Sequence, residues 1–292
     1  MLKLRIGKLE IIRIEETCGP AAPLSLIPDL PKDVLACERD WLTPVFFDLP
    51  TQKLVFSTHT WLIRTPSATI LFELGAGNGK HRPNFPRAHQ LDTPWLARLA
   101  EAGCRPEGVD FVVASHLHTD HVGWYTRWDG VAWVPVFPRA RYLVPRREWD
   151  NWNPETRRNV PAFNEGVIED CLLPVMAAGR VDLIEDGHVI ADAVRVEPAP
   201  GHTAGHVWLR TFSGPETAIL SGDVMYSPLQ LVYPDCNSYA CELQAEGIVT
   251  RHRLLDECAR EGHLLLPSHF PEPFAAVRVT RRDGRFGFVS GQ

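Results

Sequence analysis

Short apolar runs separated by turn-forming clusters dominate this chain, a rhythm that predicts many strands and few long helices. Residues 1–14 alternate apolar and charged side chains, as a strand with one wet face does. Residues 54–64 and 69–73 read as consecutive strands joined through Pro66-Ser67, the pattern of a hairpin. Between Thr93 and Gly103 the signals of a short, complete helix appear: Thr93 as N-cap, Pro94 at the first helical position and Gly103 just past the end. The run Asp110-Phe-Val-Val-Ala-Ser115 is continuously apolar, which predicts a strand buried on both faces. Residues 217–222 and 263–268 repeat that pattern, and each ends at a residue able to bind a cation, Asp223 and His269. Residues 242–261 carry Ile248, Leu254, Leu255 and Cys258 at near-helical spacing and stop at Gly262, predicting a helix packed behind the last of these strands. Proline-rich stretches at 19–34 and 134–145 are interleaved with Leu, Ile, Val and Phe, and are expected to form ordered surface loops.

Composition narrows the class. The 292 residues are 45% apolar and 23% charged, enough to bury a large core, and no linker divides them, so a single α/β domain over 1–292 is expected. A net charge of −6 offers no footprint for nucleic acid or an anionic membrane. The N-terminal residues lack an uninterrupted apolar signal segment, and no apolar run approaches the ~20 residues that span a bilayer. Seven cysteines without a C-x-x-C pair suit reduced thiols in a cytoplasmic protein, packed as small apolar groups; a homodimer is left open.

Candidate chemistry is concentrated in Ser115-His-Leu-His-Thr-Asp-His-Val-Gly123, where His116, His118, Asp120 and His121 place four possible ligands in six residues at a strand exit. Imidazoles crowded this closely are costly unless a cation takes up their lone pairs, and imidazole with carboxylate suits zinc, iron, manganese or cobalt. Three further elements stand downstream: Pro200-Gly-His-Thr-Ala-Gly-His206, Leu220-Ser-Gly-Asp223 and Leu264-Leu-Leu-Pro-Ser-His269.

This ordered set resembles the metallo-β-lactamase superfamily, whose signature is His-x-His-x-Asp-His followed by distant His, Asp and His ligands, and the likeness spans roughly residues 52–270. The resemblance implies an αββα sandwich of two mixed β-sheets flanked by helices and a site for two divalent metal ions, zinc first among them. It assigns His116, His118 and His202 to one ion, Asp120, His121 and His269 to the second, and Asp223 to the bridge. It also implies a shared, acidified water as nucleophile, with Asp120 a ligand that can pass a proton. His206 is expected to orient rather than to bind. Presence of His121 argues against penicillin hydrolysis. Glu73, in Phe72-Glu-Leu-Gly75, stands where relatives commonly carry Asp.

Among superfamily members, the chain resembles acyl-homoserine lactonases in having Tyr226 three residues after the bridging aspartate, where such a tyrosine points at the substrate carbonyl. Near the C-terminus, Pro267-Ser-His-Phe-Pro-Glu-Pro273 is similar to methyl parathion hydrolase. The interval from about 124 to 178 reads as an aromatic-rich insertion, with Trp124, Trp128, Trp133, Trp149, Trp152 and Phe163, either walling an apolar pocket or forming a small satellite core. The expected function is hydrolysis of a small apolar lactone or ester; alternatives are a phosphotriesterase and a mono-iron oxidoreductase resembling persulfide dioxygenases.

Overall fold

A computed structural model describes residues 1–157 and 159–291. The first sheet contains β1 (Lys3–Ile6), β2 (Leu9–Pro23), β3 (Phe47–Asp48), β4 (Lys53–Arg64), β5 (Thr69–Phe72) and β6 (Phe111–Val113). After a detached hairpin of β7 (Thr126–Trp128) and β8 (Trp133–Pro135), β9 (Arg141–Pro145) and β10 (Val181–Ile184) complete it. The second sheet contains β11 (Val189–Ile190), β12 (Val194–Pro198), β13 (Val207–Thr211), β14 (Ala218–Gly222), β15 (Leu264–Pro267), β16 (Val277–Arg282) and β17 (Arg285–Ser290).

In space the first sheet runs β1-β2-β4-β5-β6-β9-β10, with β3 also paired to β4; the second follows chain order. Strands β5, β6, β9 and β10 are mutually parallel, as are β14 and β15, and the remaining pairs are antiparallel. The two-residue period explains how the sheets stack. Trp61 and Ile63 of β4 face inward and meet Val194, Val196, Leu209, Leu220 and Leu266 of the second sheet. Leu62 points the other way, into a core completed by Trp95 and Leu99 of the helix Trp95–Glu101. On the far side, Leu254, Leu255 and Cys258 of the helix Gln244–Glu261 cover Ile219 and Leu265. Helix, sheet, sheet, helix is the observed order of layers. Among the described residues no helix is long and apolar enough to cross a membrane.

Four expectations change. The N-terminal alternation is two strands, not one: Ile6 pairs with Leu9 across a Gly7-Lys8 turn, and the alternation continues through it, hiding the break. Thr93 does not cap its helix; its hydroxyl lies 3.2 Å from Asn78 Oδ1, and Pro94 occupies the N-cap. Residues 19–23 belong to β2, because β1 pairs only as far as Ile12 and prolines on the free edge beyond it cost no ladder bond. Most consequential, 141–145 is not a surface loop but β9, an interior strand between β6 and β10 with Tyr142, Leu143 and Val144 buried. Pro138 and Pro145 leave so short an apolar run between them that it gave no strand signal. The aromatic interval therefore threads through the main sheet rather than standing apart from it.

Candidate metal centre

Strand β6, held between two parallel neighbours, ends in the loop that carries His116 and His118, and the helical turn Thr119–Val122 carries Asp120 and His121. That turn is tied to the chain after β5: the Leu74 amide donates to the His121 carbonyl at 2.7 Å, Gly123 N to Gly75 O at 2.8 Å and Trp124 N to Leu74 O at 2.8 Å. A Cβ on Gly123 would lie 1.9 Å from the Ala76 carbonyl carbon and oxygen, so this approach requires glycine. The second sheet supplies His202 from the β12–β13 loop, Asp223 just after β14 and His269 just after β15.

All seven candidate ligands converge. His116 Nε2 lies 2.9 Å from His118 Nδ1, and His202 Nε2 lies 3.0 Å from the former and 2.9 Å from the latter, a closed triangle of ring nitrogens. Asp120, His121 and His269 form a second group, with His121 Nε2 3.6 Å from Asp120 Oδ1 and His269 Nε2 3.9 Å from Asp120 Oδ2. Asp223 stands between the two groups. Its Oδ2 is 3.6 Å from His202 Nε2, and its Oδ1 is 3.4 Å from His121 Nε2 and 3.1 Å from His269 Nε2.

The surroundings fix which nitrogen faces inward. His121 Nδ1 donates to Glu73 Oε2 at 2.6 Å, and His269 Nδ1 donates to the Ser57 carbonyl at 3.0 Å, so each ring turns its Nε2 toward the cluster. Glu73, one methylene longer than the usual aspartate, thus still reaches its histidine, from a backbone with φ of 62°. His206 is engaged at both nitrogens: Nδ1 donates to Ala199 O and Nε2 accepts the Asp223 amide, each at 3.0 Å. Its contact with Asp223 orients that carboxylate's backbone.

These residues fit a cation. A triangle of imidazole nitrogens with 2.9–3.0 Å sides cannot be fully satisfied by protons shared within it, whereas nitrogens on one tetrahedral zinc stand about 3.3 Å apart, close to these edges. His121 Nε2 and Asp223 Oδ1 are buried without a hydrogen-bond partner, the mark of atoms meant for another ligand. Burial, reinforced by the neighbouring imidazoles, lowers the pKa values of His116 and His118 well below the usual range, and that of His202 falls to about 4, also chiefly through burial. These three rings are neutral at pH 7, as ligation demands. At His121 burial works in the same direction, but Glu73, Asp223 and Asp120 outweigh it and raise the pKa well above that of a free imidazole. Carboxylates that hold a proton there so strongly create the negative potential that would hold a metal ion.

Tyr226 lies at this cluster, in a three-ring group with Phe56 (5.8 Å) and His269 (5.4 Å), which are themselves 5.6 Å apart, and its hydroxyl is 3.2 Å from His202 Nδ1. Burial and then the charges of Asp223 and Asp120 push its pKa well above 10, so the phenol stays protonated and able to donate. Of the aromatic interval, Trp152 and Phe163 meet His118 edge-on at 5.2 and 5.0 Å. Trp124 instead stacks on Trp95 at 4.8 Å in the core, Trp149 packs against the same core, and Trp128 pairs with Trp133 in the detached hairpin. His59 is buried against Trp61 with its Nδ1 3.0 Å from Ser57 Oγ, outside both ligand groups.

Two buried acids escaped the sequence reading. Glu148 accepts from Leu117 N, Trp152 Nε1, Thr203 Oγ1 and Gly205 N; Glu16 accepts from Ala76 N, Gly77 N and Trp124 Nε1. Burial raises both pKa values against the pull of these bonds, that of Glu148 to about 7. Glu16 is the extra residue where the β2–β4 register shifts between Glu15 and Thr17, and consecutive acids in an alternating strand were a readable sign of that bulge.

Comparison with known proteins agrees with the geometry. An N-acyl homoserine lactonase of Bacillus cereus is 25% identical over 168 residues, 54% of this chain and 59% of that protein, so the chain matches about three fifths of that relative's length. A second, N-acyl homoserine lactonase AiiB of Agrobacterium fabrum, is 26% identical over 106 residues, covering 32% of this chain and 37% of that one. Among solved structures, the hydrolase AbOPH of the beta lactamase superfamily superposes with a TM-score of 0.83 at 22% identity, over 99% of this chain and 97% of that one. AidC, a dizinc quorum-quenching lactonase, gives 0.79 at 19% identity over 100% and 97%. Residues 54–271 match the metallo-beta-lactamase superfamily, and with the two-sheet sandwich and the histidine cluster at the strand ends, this chain belongs to that superfamily.

Proposed function

We propose that this protein is a dinuclear-metal hydrolase that opens an apolar lactone or ester, acting as one domain built around both sheets. The observation that carries the reading is the closed triangle of His116, His118 and His202 with Asp223 joining it to Asp120, His121 and His269. The first three would hold one ion, the last three the other, and Asp223 both. Two divalent ions, zinc foremost, would supply an acidified water and a Lewis acid at the scissile carbonyl.

The chain's own residues do the rest. Tyr226, kept protonated, donates to the carbonyl oxygen as negative charge develops on it. Asp120 has the most accessible side chain of the seven, 16% exposed, and from there takes up the proton that the attacking water gives up and passes it to the departing alkoxide. Phe163, half-buried beside His118, offers an apolar surface to the acyl portion, with Trp152 buried behind that ring. Support for a lactone comes from the relatives named N-acyl homoserine lactonases and from AidC, described in complex with the product N-hexnoyl-L-homoserine.

The test is to reconstitute purified protein with zinc, count ions per chain and screen lactones, aryl esters and phosphotriesters. Two ions and turnover of lactones or esters are expected, and Asp223→Ala should lose activity together with much of the metal. Full activity after exhaustive chelation would overturn the proposal. A single iron with oxygen uptake would assign the oxidoreductase alternative instead.

A further inference from the structure

We infer that Glu148 is a positioning residue that holds the His116–His118–His202 set together by bridging the two loops that carry it; this rests on the reading of those histidines as one metal site. Glu148 lies on the helix Arg146–Trp152, directly after β9, and is wholly buried. Its Oε1 accepts Leu117 N at 3.0 Å and Trp152 Nε1 at 2.7 Å; its Oε2 accepts Thr203 Oγ1 at 2.7 Å and Gly205 N at 3.1 Å. Leu117 separates His116 from His118, Trp152 packs edge-on against His118, and Thr203 follows His202. One oxygen therefore serves the ligand loop of the first sheet and the other serves the ligand loop of the second.

Chemistry restricts this position to a carboxylate. Three of the four donors are N–H groups that cannot accept, so both oxygens must accept at once, and an amide offers only one acceptor oxygen. No Arg or Lys ion pair compensates the buried charge among the described residues, an arrangement that an ordinary core avoids because an unpaired buried anion is costly. Here the charge lies behind three neutral imidazoles aimed at one point, where a cation would offset it. The loop around His202 is also pressed onto this helix: a Cβ on Gly205 would fall 2.1 Å from Glu148 N.

Competitive-chelator titration of the whole protein with zinc, combined with anomalous scattering from crystals at graded zinc, resolves the two sites. In Glu148→Gln, either amide orientation points an NH2 group at one pair of donors and releases one loop. Affinity at the histidine triangle should fall roughly 10–100-fold, the scale for losing a ligand's supporting hydrogen bonds, while the Asp120–His121–His269 site changes by less than about threefold. Thr203→Val and Trp152→Phe each delete a single donor and should weaken the same site by less; they carry the test should Glu148→Gln not fold. Equal weakening of both sites, or a lower Tm with both affinities unchanged, would reduce Glu148 to a core hydrogen-bond acceptor and overturn the inference. Wild-type protein with two ions but that mutant outcome refutes this inference alone; wild type with no ion at the triangle refutes the functional reading and this inference with it.

Discussion

Replacing Tyr226 by phenylalanine isolates one oxygen atom. The ring stays packed against Phe56 and His269, and the hydroxyl lies 3.2 Å from His202 Nδ1 and 3.5 Å from its Nε2, with Asp223 also near. Losing so long a hydrogen bond costs about 1 kcal/mol of stability, a fall of about 2–4 °C in Tm for a chain of this size. Turnover should respond far more. A donor aimed at developing charge contributes roughly ten- to a thousandfold, or about 1.4–4 kcal/mol of barrier, because it acts where water is excluded. The assay compares kcat and kcat/KM of zinc-loaded wild type and Tyr226→Phe on a lactone, an aryl ester and a phosphotriester, with metal content measured on the same samples. Carbonyl substrates should lose kcat, metal content should stay constant, and phosphotriester turnover should change much less. Equal kinetics on every carbonyl substrate would remove the tyrosine from the mechanism. A fall in metal content would show instead that its hydroxyl serves His202.

Shortening Glu73 to aspartate moves its carboxylate back by about 1.5 Å, which breaks the 2.6 Å bond to His121 Nδ1; zinc affinity should drop roughly 10–100-fold with little change in Tm, and unchanged affinity would show that His121 is held by other contacts. Gly123→Ala forces a methyl group to within 1.9 Å of the Ala76 carbonyl and should destabilise by about 3 kcal/mol or more in urea titration; a loss under ~0.5 kcal/mol would contradict the packing of the two loops. At Glu197, burial favours the neutral form, but the bonds from Arg210 Nε (2.8 Å) and Trp208 Nε1 (2.7 Å) prevail and lower its pKa below 4.5. Its stabilisation is therefore present above the unfolded value and is lost as pH falls through the lower folded one, so wild type should exceed Glu197→Gln in urea midpoint at pH 7 and converge on it in acid, below that folded value. A gap independent of pH would rule out the carboxylate charge as its source.

How legible each part was follows from what sequence encodes directly. Strands β6, β14 and β15 stood out because strands covered on both faces are written as unbroken apolar runs, and each ends at a candidate ligand. The crowding of His116, His118, Asp120 and His121 spoke for a cation, but which ion each ligand serves came with the family resemblance, since spacing alone does not partition a cluster. Strand β9 was unreadable between its prolines. Glu148 was unreadable for another reason: on the surface or wholly buried, an acid beside Arg147 on an amphipathic helix is written the same way. Aromatic residues pose the same ambiguity, and only the packing separates Phe163, half-buried against His118, from Trp124, in the core.

The division of the ligands between the sheets has a mechanical consequence. His116, His118, Asp120 and His121 hang from the first sheet, and His202, Asp223 and His269 from the second, so any ion held by both sets is a crosslink between two layers that elsewhere meet chiefly through apolar packing and a few hydrogen bonds. By analogy with covalent crosslinks, closing a loop of about 100 residues is worth about 4.7 kcal/mol in chain entropy, comparable to a large share of a domain's net stability. Stripping the ions would then let the seam breathe at the ligand loops before either sheet unravels, and amide hydrogens there should exchange first.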